Sequence, residues 1–270
     1  MNTHNRIDIP KMHTITKVIR ENPSMVTLVF DCDFQVQPGQ FVNLWIPRID
    51  EKPFSVAWAD GRELNLTIAD VGPFSHQAVG LKVGDKAGLR GPYGKGFTWT
   101  SSQNIAMVGG GFGSAPLYFT AVAALKDNCH VDMIIGARSK NLLIYTDRFK
   151  GLKGSTLHVS TDDGSEGHKG TTVEILKTLV EKQKFDLILT CGPEKMMKAV
   201  CDIARSKEIP TLVSLERYMK CGFGLCGNCV VDPTGDRTCQ KGPVVPLEYV
   251  DLVEEFGEYH RDALGKKKPW

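Results

Sequence analysis

The sequence is short of everything that would mark a membrane protein. No apolar run among its 270 residues approaches the roughly 20 that a helix needs to cross a bilayer. The opening MNTHNRIDIPKMHTITKV has no apolar stretch of the kind that drives secretion, so a cytoplasmic protein without a membrane span is expected. Charge of one sign is also missing. Lys and Arg total 33 against 31 Asp and Glu, and the basic residues are scattered, which argues against a nucleic-acid partner. Histidines at metal-ligand spacing are absent too, since His76 and His168 have no cysteine or carboxylate at a recognisable interval. No internal repeat or low-complexity linker interrupts the chain, whose length predicts two domains and a small appendage.

Cysteine, by contrast, is plentiful and unevenly placed. Of eight cysteines, Cys32, Cys129, Cys191 and Cys201 stand far apart, while Cys221, Cys226, Cys229 and Cys239 crowd into one segment. Their spacing, C-x4-C-x2-C-x9-C, follows the plant-type [2Fe-2S] pattern in its first three members, with a fourth thiolate supplied from beyond the loop. Gly222, Gly224 and Gly227 allow the backbone to wrap closely and direct amides at the sulfurs. A structural zinc site and a disulfide pair are the alternatives, although zinc sites usually pair two short knuckles instead of grouping three ligands and leaving one alone. Cys201 falls with Met197, Val200 and Ala204 on one helical face and reads as core.

Ahead of the cysteines the chain changes rhythm twice. Up to about residue 100, strand-like runs at 25–30, 41–46, 54–58, 64–69 and 86–89 alternate with turns, which predicts an antiparallel β-barrel. Over 101–214, strands at 105–108, 131–135, 156–160, 186–190 and 211–214 alternate with helical patterns at 114–125, 172–182 and 194–207, which predicts a doubly wound parallel sheet. A third part, 215–270, holds the cysteines and a charged tail. In that tail Leu252, Val253, Phe256 and Tyr259 sit at near-helical spacing and would pack on their own domain or face a partner.

The second part carries a nucleotide signature. A strand runs into Gly109, Gly110, Gly111, Phe112 and Gly113 and then a helix, which presents bare amides to a pyrophosphate. The loop departs from strict GxGxxG because Ala115-Pro116 stands where a third glycine would fall. Cys191, Gly192 and Pro193 follow another strand, at the crevice where open α/β sheets bind ligands; Cys191 suits a nicotinamide pocket or a plain buried thiol. In TDDGSEG, Asp162 and Asp163 suit either an Asx turn or a nucleotide contact. Arg138-Ser139 stands where an acid would select a ribose 2′-hydroxyl, so the residues themselves say little on NAD against NADP.

In the first part, Lys52, Pro53, Phe54 and Ser55 resemble the RxYS-type flavin motif of the ferredoxin–NADP reductase superfamily. Gly72, Pro73, Phe74 and Ser75 resemble its phosphate-facing segment, and Gly91-Pro92-Tyr93-Gly94 its closing turn. Taken in order with GGGFGSAP, TDDGSEG, CGPEKMM, CGFGLCGNC and CQKGPVV, they are similar to the electron-transfer subunits of dihydroorotate dehydrogenase over nearly the whole chain. That resemblance implies an oxidoreductase subunit with FAD on the barrel, NAD on the parallel sheet and a C-terminal [2Fe-2S] domain. It also implies an FMN-containing catalytic partner, in a heterotetramer of two plus two, whose electrons from dihydroorotate reach NAD+ by way of the cluster and FAD.

By the same resemblance Ser55 lies near the reactive edge of the flavin, Lys52 replaces an arginine at the flavin phosphates with Ser75 beside them, and Leu66, Thr67 and Ile68 follow the flavin with their backbone. Lysine keeps the charge but loses the bidentate fork, and a plain surface lysine is its alternative. Similar subunits accompany sulfhydrogenases, sulfide dehydrogenases and NADH–ferredoxin transhydrogenases, which leaves the partner open. A zinc-stabilised, non-enzymatic binding module is the competing reading from another class.

Overall fold

A computed structural model describes residues 8–269. The N-terminal part contains β1 (Lys11–Asn22), β2 (Met25–Asp31), β3 (Phe41–Ile46), β4 (Asp50–Ala59), β5 (Glu63–Ala69), α1 (Pro73–Val79) and β6 (Lys86–Tyr93). Its strands close into an antiparallel barrel in the order β1-β2-β5-β4-β3-β6. In β5 the side chains of Leu64, Leu66 and Ile68 point inward and the intervening residues outward, which is the period of two that a half-buried strand demands. Ile15, Leu28, Phe30, Leu44 and Leu89 meet them in the barrel interior. Each such side chain contributes about 1.5–3 kcal/mol on burial.

The parallel sheet is built from β7 (Asn104–Gly110), α2 (Ser114–Lys126), β8 (His130–Ala137), α3 (Thr146–Lys150), β9 (Ser155–Thr161), β10 (His168–Lys169), α4 (Thr172–Lys182), β11 (Leu187–Cys191), α5 (Glu194–Ser206) and β12 (Thr211–Ser214). Strand β7 is covered on both faces. Ile105 and Met107 pack on the side of α2, and Ala106 and Val108 on the side of α4 and α5. This explains its continuous apolar run, since a strand buried on both faces has no polar side to alternate with. In α5, Met197, Val200, Cys201 and Ala204 form the buried face that their spacing predicts.

The remaining elements are α6 (Thr238–Lys241), β13 (Val244–Pro246), α7 (Leu247–Val250) and the hairpin β14 (Tyr259–Arg261) with β15 (Lys267–Pro269). The sheet order is β10-β9-β8-β7-β11-β12-β13, and β13 alone runs antiparallel. A division at residue 214 therefore passes between two neighbouring strands of one sheet. The tail is not helical where its apolar spacing suggested a helix: Val253 and Phe256 are buried in turns against α5 and α7, and Leu252 is exposed. Of the sequence features read above, residues 1–7 and Trp270 lie outside the described residues.

Barrel and sheet are joined by side chains from both. Trp58 of β4 meets Phe119 of α2 at 5.5 Å between ring centroids, and Phe119 itself belongs to the barrel core. Thr67 shares hydrogen bonds with Thr27 at 2.8 Å and with the Tyr145 hydroxyl at 2.9 Å, and Glu21 accepts from Thr27 at 2.5 Å and from Arg148 at 2.7 Å. No helix among the described residues is long and apolar enough to cross a membrane.

Candidate functional site

Between barrel and sheet lies a cleft of about 1030 Å3, counting the part open to solvent. Pro53, Phe54, Ser55 and Thr67 line it from the barrel, Gly113, Cys191, Gly192 and Ser214 from the sheet, and Leu215, Glu216, Arg217 and Met219 from the segment that follows β12. It opens at the point in the strand order where β7 and β11 lie side by side while their chain connections leave in opposite directions, which is where open α/β sheets take ligands.

Two glycine turns interlock there. A Cβ on Gly113 would stand 2.2 Å from the Cys191 carbonyl oxygen, and one on Gly192 would stand 2.9 Å from the Gly110 amide nitrogen, so neither turn admits a side chain. Gly110 has Pro193 and Met196 at 2.8 Å from its absent Cβ, and Gly109 packs on Ser114. Gly111 differs: it takes φ +53° and faces open space, beginning the 3-10 turn that leads into α2. Pro193 caps α5. Burial pushes the Cys191 thiol up to about 12, which makes it a neutral wall of the cleft and not a nucleophile.

On the barrel side, pairing of β4 with β5 stops at Val56 and Leu66, whereas β2 follows β5 as far as Ala69. The backbone of Thr67 to Ala69 thus has one edge outside the β4 ladder, on the cleft side. Leu66 and Ile68 themselves point into the barrel core, so only their backbone is available to a ligand. Phe54 stacks on Phe74 of α1 at 6.1 Å. Gly72 and Pro73 open that short helix, and the Ser75 hydroxyl accepts from the amides of Val71 (3.0 Å) and Gly72 (2.9 Å) while donating to the Gly72 carbonyl (3.0 Å). Lys52 is held on Asp50 at 2.5 Å and on Tyr218, whose hydroxyl lies 3.5 Å away, and it does not line the cleft. Asp163 accepts from the amide and hydroxyl of Ser165 at 2.9 and 2.6 Å, spending its carboxylate on the Asx turn.

The four clustered cysteines contact one another in two pairs, Cys221 with Cys226 and Cys229 with Cys239. The first pair is partly or fully exposed and the second is buried. Cys221 Sγ accepts from the amides of Leu225 (3.2 Å) and Cys226 (3.4 Å), and Cys229 Sγ from the amide of Cys239 (3.4 Å). Burial opposes ionisation of Cys221, yet the amides of Cys226, Leu225 and Phe223 hold its thiol down to about 7. Two thiol pairs with amides aimed at the sulfurs suit a two-iron cluster held by two cysteines on each iron. The buried pair packs with Phe41, Tyr93 and Met219, of which Phe41 and Met219 also line the cleft, so the cysteine loop and the cleft share a wall.

Residues 216–251 match the family model of the iron-sulfur cluster binding domain of dihydroorotate dehydrogenase B, and residues 107–202 that of the oxidoreductase NAD-binding domain. The protein of Methanocaldococcus jannaschii named "Probable dihydroorotate dehydrogenase B (NAD(+)), electron transfer subunit" is 45% identical over 258 residues, covering 96% of this chain and 98% of that one. This chain belongs to that family. A family member of the same name from Methanothermobacter thermautotrophicus is 42% identical, covering 98% and 99%. Among solved structures, an NADH-dependent reduced ferredoxin-NADP oxidoreductase studied for flavin-based electron bifurcation is similar at TM-score 0.81 and 30% identity, covering 90% of this chain and 91% of its own. A ferredoxin NADP+ reductase from Neisseria gonorrhoeae with bound FAD and NADP shares the fold at TM-score 0.63 and 19% identity, covering 73% and 91%.

Several cleft residues escaped the motif reading. Phe41, at the start of barrel strand β3, and the segment 214–219 match no motif, although the place of residues 215–219 just beyond the end of β12 in an open α/β sheet is a usable signal. Within that segment, Arg217 donates from Nη1 to Glu194 at 2.8 Å and from Nε to Glu255, and all three side chains are at least 97% buried.

Proposed function

We infer that this subunit links oxidation of dihydroorotate in a catalytic partner to reduction of NAD+, as the electron-transfer chain of an NAD-linked dihydroorotate dehydrogenase. The observation that carries the reading is the shared wall: Phe41 and Met219 touch the buried cysteine pair on one side and the cleft on the other. Cys221, Cys226, Cys229 and Cys239 would hold the [2Fe-2S] cluster. Pro53, Phe54, Ser55, the backbone of β5 at Leu66, Thr67 and Ile68, and the start of α1 from Gly72 to Ser75 would hold FAD. Gly109, Gly110, Gly111 and Gly113 with Cys191, Gly192 and Pro193 would receive the nicotinamide nucleotide. FAD would supply the exchange between one-electron and two-electron carriers.

The chain's own work is to bind, to hold distances and to exclude water. The interlocked glycines fix the two sheet turns against each other, and the buried ion triad anchors segment 214–219 behind the cleft. On the outer face of the cysteine loop Cys226 is exposed and Leu225 is 78% exposed, which suits contact with a partner that delivers electrons there. The partner is an FMN-bearing dihydroorotate dehydrogenase chain, assembled two plus two in the cytoplasm. Anaerobic recovery of the complex from its native source tests this. Co-purification of that chain with FMN, FAD and iron, and NAD+-dependent oxidation of dihydroorotate, is the expected result. A sulfide dehydrogenase or hydrogenase chain in its place would refute the pyrimidine role.

A further inference from the structure

The cysteine loop is gripped from below by the barrel. Arg90 of β6 is buried, with 8% of its side chain exposed, and each arm of its guanidinium is engaged. Nη1 donates to the Cys221 carbonyl at 2.6 Å and to the Tyr93 hydroxyl at 3.1 Å, Nη2 donates to the Lys220 carbonyl at 3.3 Å, and Nε donates to Glu51 of β4. Its central carbon lies 5.7 Å from the Tyr93 ring and 5.5 Å from the ring of Phe223, which sits within the loop. Asn43 of β3, fully buried, adds a second donor to the Lys220 carbonyl at 2.7 Å. Gly222 takes φ +82° with the Tyr93 ring 2.7 Å from where its Cβ would be, so the loop lies flat on the barrel.

We propose that Arg90 is a positioning residue for the iron-sulfur centre: it holds the backbone at the first ligand, Cys221, and places a buried positive charge beside the cluster, partly offset by Glu51. The proposal rests on the reading that the four cysteines hold [2Fe-2S]. A planar fork with several donors suits two adjacent carbonyls and a carboxylate together, and lysine cannot reproduce it. Reduction adds one electron to the cluster, so a nearby buried cation favours the reduced form and a nearby anion opposes it. In the weak screening of a protein interior Arg90 is worth about a tenfold change in the reduced-to-oxidised ratio, and Glu51, with 24% of its side chain exposed, a smaller change of opposite sign.

The test is an anaerobic redox titration of the FAD-loaded protein followed by electron paramagnetic resonance, with iron content measured alongside. At fixed ambient potential, Arg90→Met should lower the reduced-to-oxidised ratio of the cluster about tenfold, and Glu51→Gln should raise it. Arg90→Lys should recover most of the ratio while broadening the resonance, since charge returns without the fork. A merely structural role would disturb both variants without opposite shifts. Ratios that stay put, or that move the same way in both, overturn the proposal. Should Arg90→Met fail to retain iron, the Glu51→Gln and Arg90→Lys arms decide it by the same criterion. Wild-type protein lacking any [2Fe-2S] resonance would instead overturn the cluster assignment itself.

Discussion

Replacing Arg217 with methionine isolates what the buried ion triad is worth. Wild type places one guanidinium between two carboxylates, with side-chain exposures of 3%, 2% and 0% for Arg217, Glu194 and Glu255. Removing one partner of a buried pair costs about 3–5 kcal/mol, because the remaining charge keeps its desolvation penalty and loses its compensation. Here two carboxylates are stranded, and Glu194 Oε2 and Glu255 Oε2 already have no hydrogen-bond partner among the described residues. At roughly 2–4 °C per kcal/mol for a chain of this size, the apparent Tm should fall by about 10 °C at pH 8. Glu194 can relieve part of this by taking a proton, so the fall should be smaller at pH 6. Thermal unfolding of the cofactor-loaded protein, followed by circular dichroism and flavin fluorescence at both pH values, measures it. A Tm within about 2 °C of wild type at pH 8 would refute the reasoning, since surface ion pairs alone contribute on that scale.

Burial raises the Glu194 carboxyl from its ordinary 4.5 to about 7, with Arg217 opposing. A raised folded value means stability fully present below about 4.5 and lost as pH climbs through about 7, so between pH 5 and pH 8 wild type should lose about 2–3 kcal/mol relative to Glu194→Gln in urea unfolding. Gly113→Ala should abolish NADH binding in a fluorescence titration and destabilise the fold by several kcal/mol, because its Cβ meets the Cys191 carbonyl. Gly111→Ala, with open space around it, should cost only about 1–2 kcal/mol for its left-handed backbone. Cys226→Ser should remove the iron signal, whereas Cys201→Ala, in the α5 core, should leave iron content unchanged and cost about 1 kcal/mol.

The parts of the site that could be read in the sequence are those whose chemistry is local. Four cysteines within 19 residues, and glycines bunched at a strand end, announce themselves because ligand geometry and phosphate approach fix short spacings. Strand β1 did not, since only Ile15 and Asn22 are fully buried along it, and irregular register at Ile15/Lys17 and Arg20/Asn22 breaks the period of two. Ser75 carries no motif-independent signal of its other contacts: its hydroxyl accepts from the amides of Val71 and Gly72 at the start of α1, a tie fixed by the helix turn. Arg90 and Arg217 leave no local trace: the first meets Cys221 across 131 positions, and the second meets Glu255 across 38. The apolar spacing of the tail imitated a helix because Val253 and Phe256 reach the core from successive turns.

Strand β13 gives the cysteine segment two moorings. The chain leaves the sheet at β12, passes through all four clustered cysteines, and comes back to lie against β12 as the edge strand. The segment is therefore an inlay and not a trailing lobe on a tether. An electron carrier mounted this way is tied to the sheet at both ends of its segment, unlike a hinged module carried on a single linker. Cutting the chain after residue 214 would strip the four clustered cysteines and also lay bare the outer edge of β12, so the inlay and the sheet that frames it would be lost or kept together.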